Sequence, residues 1–391
     1  MPVTSTSVRA STRPNWAEVS LSSLRHNFRT LQRHVGPGVT ICAVVKCDAY
    51  GHGSEGCARA LEEEGACWFG VTSTDEGVAL RDAGISSRIL ILVGAWRGEE
   101  EDALRYALTP TVSRFEDVEA VALAAARIGR REPVPVHLKL DTGMARLGLP
   151  LSELDNFAQR IKNVGQVELE GVFSHLASAE VLDAADALRQ QERFNQAVRT
   201  LASHGLHPPI RHLANSSATL GRPDSWYNFV RPGMAIYGYE LPLVHRDGRA
   251  IEQHDLLGLK PALSWKTRIL SLRNVPAGQA LGYNGVYVTK VPARVAVIAA
   301  GYGDGLCRKL SPGGYVLLRG QRAPIVGRIS MDLAIVDVNH VPGAEIGDEV
   351  VLIGRSGDER ITAVDYARWS DSIAYEILCN LSERVVRHHV E

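Results

Sequence analysis

Between Leu21 and about Gly238, short apolar runs alternate with amphipathic helical patterns, and this alternation limits the fold more than any other feature of the chain. The runs are Thr40–Val45, Cys67–Val71, Ile89–Val93, Ala107–Val112, Val134–Leu140, Val167–Phe173, Pro209–Leu213 and Asn228–Arg231. Most are apolar almost throughout, as strands covered on both faces are, and helices placed between strands build parallel sheets. Eight such strands over roughly 200 residues fit a (β/α)8 TIM-type barrel better than an open doubly wound sheet. The helices carry the matching signal. Leu24, Phe28, Leu31 and Val35 fall on one helical face, with Ser22 placed to cap the start and Gly36 just past the end. Phe194, Val198 and Leu201 repeat the spacing before Gly205.

After about Leu241 the texture changes and helical periodicity nearly vanishes. Strand-like runs follow at Leu263–Leu272, Val295–Ala299, Gly314–Leu318, Ala323–Arg328, Leu333–Val338 and Glu349–Ile353, separated by turn signals such as Pro276-Ala277-Gly278 and Pro342-Gly343. Asp371–Ser382 reads as helical again. The expected organisation is a disordered tail over 1–14, a barrel over 15–240 and a mainly β domain over 241–391. A first strand over 15–20 is open to pairing with the β domain.

Charge excludes some partners. With 43 basic against 44 acidic residues, the chain has no basic field for nucleic acid and no lysine cluster for a membrane surface. Small molecules or another protein chain are the expected partners. No apolar run reaches the length of a membrane span. The Ser-, Thr-, Arg- and Pro-rich start lacks the apolar centre of a secretory signal, so a cytoplasmic location is expected. None of the six cysteines forms a C-x-x-C pair, and no metal site is expected. Cys42 and Cys67 read as small core hydrophobes, and Cys47 as a packing residue.

A barrel enzyme carries its chemistry at the C-terminal ends of its strands, and the polar residues there form a distinctive set. The first barrel strand leads into Lys46, followed by Cys47-Asp48-Ala49-Tyr50-Gly51-His52-Gly53. An amine at the end of a buried strand, facing a glycine-bearing turn, suits a Schiff-base nucleophile, because desolvation frees it from its proton. The fifth strand runs into Lys139-Leu140-Asp141-Thr142-Gly143-Met144 and Arg146-Leu147-Gly148. The sixth ends in Ser174-His175, the seventh runs into His212-Leu213-Ala214-Asn215-Ser216, and the eighth ends in Arg231-Pro232-Gly233-Met234. Taken singly, each has a plain structural explanation, such as a core histidine or a surface ion pair. Their joint order does not.

In that order, together with Gly301-Tyr302-Gly303-Asp304-Gly305, Gly327-Arg328-Ile329-Ser330-Met331-Asp332 and Tyr375-Glu376, these segments resemble the alanine racemase family from about Trp16 to Arg387. The family is a fold-type III group of enzymes dependent on pyridoxal 5'-phosphate (PLP), with a barrel, a β domain and a head-to-tail homodimer. The resemblance implies that Lys46 holds PLP and serves as one acid/base group. It assigns the second base to Tyr283 of the partner subunit, helped by His175, with His175 bonded onward to Arg231. Arg231 faces the pyridine nitrogen and, since a guanidinium keeps its proton, leaves that nitrogen unprotonated. The phosphate falls to Tyr50, Ser216, Tyr375 and the amides of Gly233 and Met234. Arg146 meets the substrate carboxylate, and a carbamylated Lys139 positions it. Tyr302 and Met331 narrow the entrance. The implied activity is two-base interconversion of L- and D-alanine, supplying D-alanine for peptidoglycan.

The chain departs from the family pattern at three places. Cys47-Asp48 stand where Ala-Asn or Ser-Asn is common, Gly282-Tyr283-Asn284 where Ser-Tyr-Gly is usual, and Ser330 where cysteine is frequent. These bear on substrate preference, and a racemase of the same fold preferring serine or a longer amino acid is the first rival. A fold-type III decarboxylase would set a carboxylate against the pyridine nitrogen, where this chain has Arg231. A PLP-carrying homeostasis protein would lack the β domain.

Overall fold

The structure, a computed structural model, describes residues 13–240, 243–247 and 257–391. The tail expected over 1–14 lies outside these residues except for its last two positions, and Leu241 lies outside them as well. The chain divides into two compact units. Ser22–Lys260 form one, and Pro261–Glu391 with the chain up to Leu21 form the other.

The first strand, β1 (Asn15–Ser20), belongs to the second unit and leads without a loop into the helix Leu21–Val35. That helix begins one residue before Ser22, so Ser22 lies in its first turn and not at its cap. Its buried face carries Leu24, Phe28, Leu31 and Val35 as their spacing requires. Gly36 follows at φ +76°, a conformation that favours glycine.

The barrel strands are β2 (Thr40–Val44), β3 (Trp68–Val71), β4 (Arg88–Ile91), β5 (Leu108–Val112), β6 (Val134–Asp141), the two-residue arm β7 (Leu149–Pro150), β8 (Val167–Phe173), β9 (Ile210–His212) and β10 (Phe229–Val230). Leaving out β7, which pairs only with β6, they lie in the order β10-β2-β3-β4-β5-β6-β8-β9, every pairing parallel. The ring is nearly closed. Its two end strands are joined beyond their ends, where the Arg231 N–H donates to the Ala214 carbonyl at 3.0 Å. All four residues of β3 and all five of β5 are buried, which is why these runs show no polar alternation. A large apolar cluster between strands and helices includes Val136, Leu138, Phe157, Val172 and Phe194.

In the second unit the expected β runs appear as β11 (Leu263–Val275), β14 (Ala293–Ile298), β15 (Tyr315–Leu318), β16 (Gln321–Val326), β17 (Ala334–Asp337) and β18 (Glu349–Ser356), with β12 (Ala280–Leu281), β13 (Tyr287–Val288), β19 (Glu359–Ile361) and β20 (Val386–Val390) beside them. The pairings β11-β14-β17-β16-β15-β18 return to β11 and close a small antiparallel barrel. Strand β1 extends it, antiparallel to β11 and parallel to β20. The four extra strands are two to five residues long, too short for a periodic signal. The helix expected over Asp371–Ser382 is shorter, Ala374–Cys379, and Ala363–Ser370 precedes it. Asp371, at φ +55°, ends the earlier helix.

Two cysteines are corrected. Cys67 is exposed because β3 starts one residue later, at Trp68, and Cys47 is exposed on the turn after β2. Cys42 is buried as expected.

Candidate active site

Strand β2 delivers Lys46 at the C-terminal end of the barrel, and an unusual backbone follows it. Cys47, Asp48, Ala49 and Tyr50 all have φ between 51° and 54°, one turn of left-handed helix made without glycine. Such residues cost roughly 1–2 kcal/mol each, so the surroundings must hold the turn. Glu76 Oε1 accepts the Cys47 N–H at 2.6 Å, and its Oε2 accepts the Thr72 N–H at 2.7 Å. Asp48 is exposed and accepts the Ser54 N–H at 2.7 Å, directed toward the next helix. The turn buries Tyr50, whose hydroxyl lies so close to Gly233 that a Cβ there would stand 2.3 Å from it. Gly233 is therefore required by its neighbour. Its N–H donates to the buried Ser216 Oγ at 2.8 Å, so Tyr50, Ser216 and Gly233 form one small cluster, next in sequence to buried Met234.

Arg231, at the end of β10, is 5% exposed. It donates to His212 Nδ1 at 2.8 Å, to the Ser174 carbonyl at 2.8 Å and to the Leu213 carbonyl at 3.3 Å. The expected bond from His175 to Arg231 is replaced by these three, because strands β9 and β8 present His212 and the Ser174 carbonyl to the guanidinium. Burial lowers Arg231 to about 10, still charged at neutral pH. Its described acceptors are all neutral.

Four cations surround His175. Burial, followed by the charges of Arg231, Arg146, Lys139 and Lys46, pushes its imidazole down to about 3. Burial and three of the same cations lower Lys139 to about 8. Lys139 donates to the Leu92 carbonyl at 3.2 Å. Arg146 is exposed on the loop after β6. Asp141 Oδ1 shapes that loop by accepting the N–H groups of Gly143, Met144 and Ala145 at 2.9–3.1 Å. The barrel thus gathers Lys46, Lys139, Arg146, His175 and Arg231. Among the described residues the charges shifting His175 are positive, and the donor set suits an anionic ligand carrying phosphate, phenolate and carboxylate groups.

The remaining predicted residues lie on the second unit. Tyr283 sits in the turn Tyr283–Gly285 and is 67% exposed. Tyr302 and Met331 are also exposed. Their loops are bonded to each other, Tyr302 N–H to the Ser330 carbonyl at 3.0 Å and Gly303 N–H to the Met331 carbonyl at 2.9 Å. Asp304, fully buried, holds this pair of loops. It accepts the Gly301 N–H at 2.9 Å and Arg13 at 2.8 Å, while Arg384 lies 3.3 Å away and reaches Asp332 at 2.6 Å. A Cβ on Gly282 would lie 3.1 Å from Arg328 N, so the Tyr283 turn packs on the start of the Met331 loop. Tyr375 is half-buried near the start of Ala374–Cys379.

Sequence reasoning gave no part to Glu76, Arg13, Arg384, Glu170 or His137. His137 was detectable, since it stands two residues before Lys139 on one strand and so shares its face. The arginines and glutamates had no signal beyond their charge.

Comparison with known proteins places this geometry. The chain matches the family described as alanine racemase, N-terminal domain, over residues 19–241, and that described as alanine racemase, C-terminal domain, over 262–389. It is 40% identical to the alanine racemase of Syntrophobacter fumaroxidans over 94% of this chain and 95% of that one. It is 39% identical to the alanine racemase of Halothermothrix orenii over 97% of each. Among solved structures, alanine racemase from D-cycloserine-producing Streptomyces lavendulae superposes with a TM-score of 0.90 at 33% identity, over 98% of both chains. The Bacillus anthracis alanine racemase with bound L-Ala-P gives 0.87 at 33% identity, over 98% of this chain and 96% of that one.

Proposed function

Because the chain belongs to the alanine racemase family of isomerases, we propose that it interconverts L- and D-alanine with PLP, by a two-base mechanism shared between Lys46 and Tyr283. The observation that carries this reading is the convergence of Lys46, Lys139, Arg146, His175 and Arg231 at the C-terminal end of the barrel, with only positive charge acting on His175. When bound, PLP supplies the electron sink that acidifies the substrate Cα proton. The chain's residues do the rest. Tyr50, Ser216 and the amides of Gly233 and Met234 hold the phosphate, and the resemblance adds Tyr375. Arg231, charged and bonded only to neutral acceptors, presents a donor to the pyridine nitrogen. Arg146 fixes the substrate carboxylate through its planar fork.

Lys46 Nζ carries the proton on one face of Cα. Tyr283 Oη, from a second copy of the chain, carries it on the other. His175, neutral through burial and surrounding cations, is fitted to share a proton with that phenol. The exposure of Tyr283, Tyr302 and Met331 supports a homodimer in which a partner subunit covers them. No helix among the described residues is long and apolar enough to cross a membrane. The reading places the homodimer in the cytoplasm, supplying D-alanine for peptidoglycan.

The test is proton NMR of the PLP-loaded protein with L-alanine in D₂O, joined to a chiral assay. Loss of the Cα proton signal with appearance of D-alanine is expected. PLP binding without exchange would withdraw the assignment, and faster exchange of serine would move it to the serine-preferring rival.

A further inference from the structure

Behind Arg231, a string of polar side chains runs back through the barrel interior to its opposite end. Arg231 donates to His212 Nδ1 at 2.8 Å. His212 Nε2 lies 2.9 Å from His137 Nδ1. His137 Nε2 faces Glu170 Oε2 at 3.4 Å, an ion-pair distance and not a well-aligned hydrogen bond. Glu170 is gripped by both terminal nitrogens of Arg88, the second at 2.8 Å. Arg88 lies over the Trp68 ring at 4.1 Å. Both histidines are fully buried. The space for the His137 ring depends on Gly171, where a Cβ would lie 2.5 Å from His137 Nδ1.

The chemistry of the string gives it a direction. An arginine only donates, so His212 Nδ1 must accept. Burial and the charge of Arg231 hold His212 well below its usual value, so it is neutral and its one ring proton sits on Nε2. That proton points at His137, whose Nδ1 must then accept. Burial lowers His137 as well, so its own proton goes to Nε2, facing the carboxylate. Burial pushes Glu170 up, yet His137 and Arg88 outweigh it and hold the group at about 2, so the carboxylate is ionised. Reversing any one tautomer sets two donors or two lone pairs against each other in a site without water's freedom to adapt.

We propose that Glu170 is a positioning residue for Arg231: held by Arg88, it faces the far end of the string and keeps both histidine rings in place as the Nε2–H tautomers that Arg231 requires, with a lone pair aimed at the guanidinium. Its catalytic consequence rests on the reading that Arg231 faces the pyridine nitrogen. The tautomer assignment does not.

The test is ¹⁵N NMR of the PLP-loaded protein labelled at the 13 histidines of each chain, with His137→Gln and His212→Gln variants identifying the two resonance pairs. Both rings are expected as neutral Nε2–H tautomers at neutral pH, where a free histidine is still partly charged. Glu170→Ala leaves His137 Nε2–H facing no carboxylate, and is expected to shift and broaden the His137 ¹⁵N signals while His212 stays Nε2–H. It should lower kcat for alanine about tenfold, the scale at which outer partners act, with KM little changed because Arg146 is untouched. Glu170→Gln keeps an acceptor oxygen and is expected to restore both the His137 signals and most of kcat. An Nδ1–H or imidazolium state of His212 in the unmodified protein overturns the proposal without any variant having to fold. So does a Glu170→Ala protein with unchanged His137 signals and kcat. Correct tautomers in a protein that racemises nothing would leave the string standing and remove the proposed function instead.

Discussion

Arg231 is 5% exposed and held by three bonds within the barrel, whereas Tyr283 is 67% exposed and Met331 53%. The two sets of residues belong to one proposed reaction, yet one is finished inside the fold and the other is not. A buried polar network fixes orientation because each member is satisfied by the next. A phenol on an exposed turn has its backbone placed but not its electrostatic surroundings. On the proposed reading, the difference means that the chain builds the binding half of its site from its own packing and leaves one proton-carrying group to be completed by a second copy.

The sharpest way to break this contrast is Tyr283→Phe. If the phenol only moves a proton, its loss should lower racemisation by about 10²- to 10⁴-fold. PLP binding, read by absorbance, should stay intact, because every barrel residue assigned to the cofactor remains. A variant that loses PLP would show that Tyr283 belongs to the binding half after all.

Next in size is a mixing experiment. Lys46→Ala and Tyr283→Phe proteins, each inactive alone, should regain activity when dissociated and reassociated together. If each site joins Lys46 of one chain to Tyr283 of another, random pairing into twofold dimers leaves about a quarter of the sites intact. Turnover near that fraction of the unmodified rate is expected. No recovery, with mixed dimers demonstrated by mass, would confine the site to one chain.

The electrostatics of the barrel half allow a subtler check. Lys139 titrates at about 8 in the folded protein against 10.5 in its ordinary state. Between those values the unfolded chain binds more protons, so this group's contribution to stability rises as pH rises from about 8 to 10.5. Its cost is fully present below 8. The same shift leaves a fraction of free amine at neutral pH, and we propose that this amine combines with CO₂ to give a carbamate and one released proton. Protein stripped of CO₂ should therefore lose activity severalfold and recover it with bicarbonate, and ¹³CO₂ should give a carbamate carbon signal. Lys139→Met should show neither the signal nor the bicarbonate effect.

How much of this was legible in the sequence follows the same division. The barrel strands were readable because both faces are buried and each run is apolar for its own sake. Lys46, Arg231 and His175 were readable because they interrupt those runs at their ends. The left-handed turn over 47–50 was not, since four non-glycine residues in that conformation violate local preference and are held by Glu76 from a distant helix. Nor was the partnership of His137, Glu170 and Arg88, which depends on the register of three strands. The first strand was read as open to pairing with the β domain, and β1 does pair with β11 and β20.

On the exposed side, the smallest expected effect concerns Arg384. It spans Asp304 and Asp332, and so ties the loop of Tyr302 to that of Met331. Its side chain is 39% exposed, and Arg13 remains on Asp304 at 2.8 Å when it is removed. Arg384→Ala should therefore cost little stability, within about 1 kcal/mol. It should loosen the spacing of the two entrance residues. The expected reading is a roughly threefold rise in the serine-to-alanine ratio of kcat/KM, below the tenfold or more that one methylene of pocket commands. Arg384→Lys should recover part of it through its remaining charge. An unchanged ratio would mean that the loops hold their spacing through the backbone bonds at Tyr302 and Gly303 alone. The entrance would then be as self-sufficient as the barrel interior, and only Tyr283 would need the second chain.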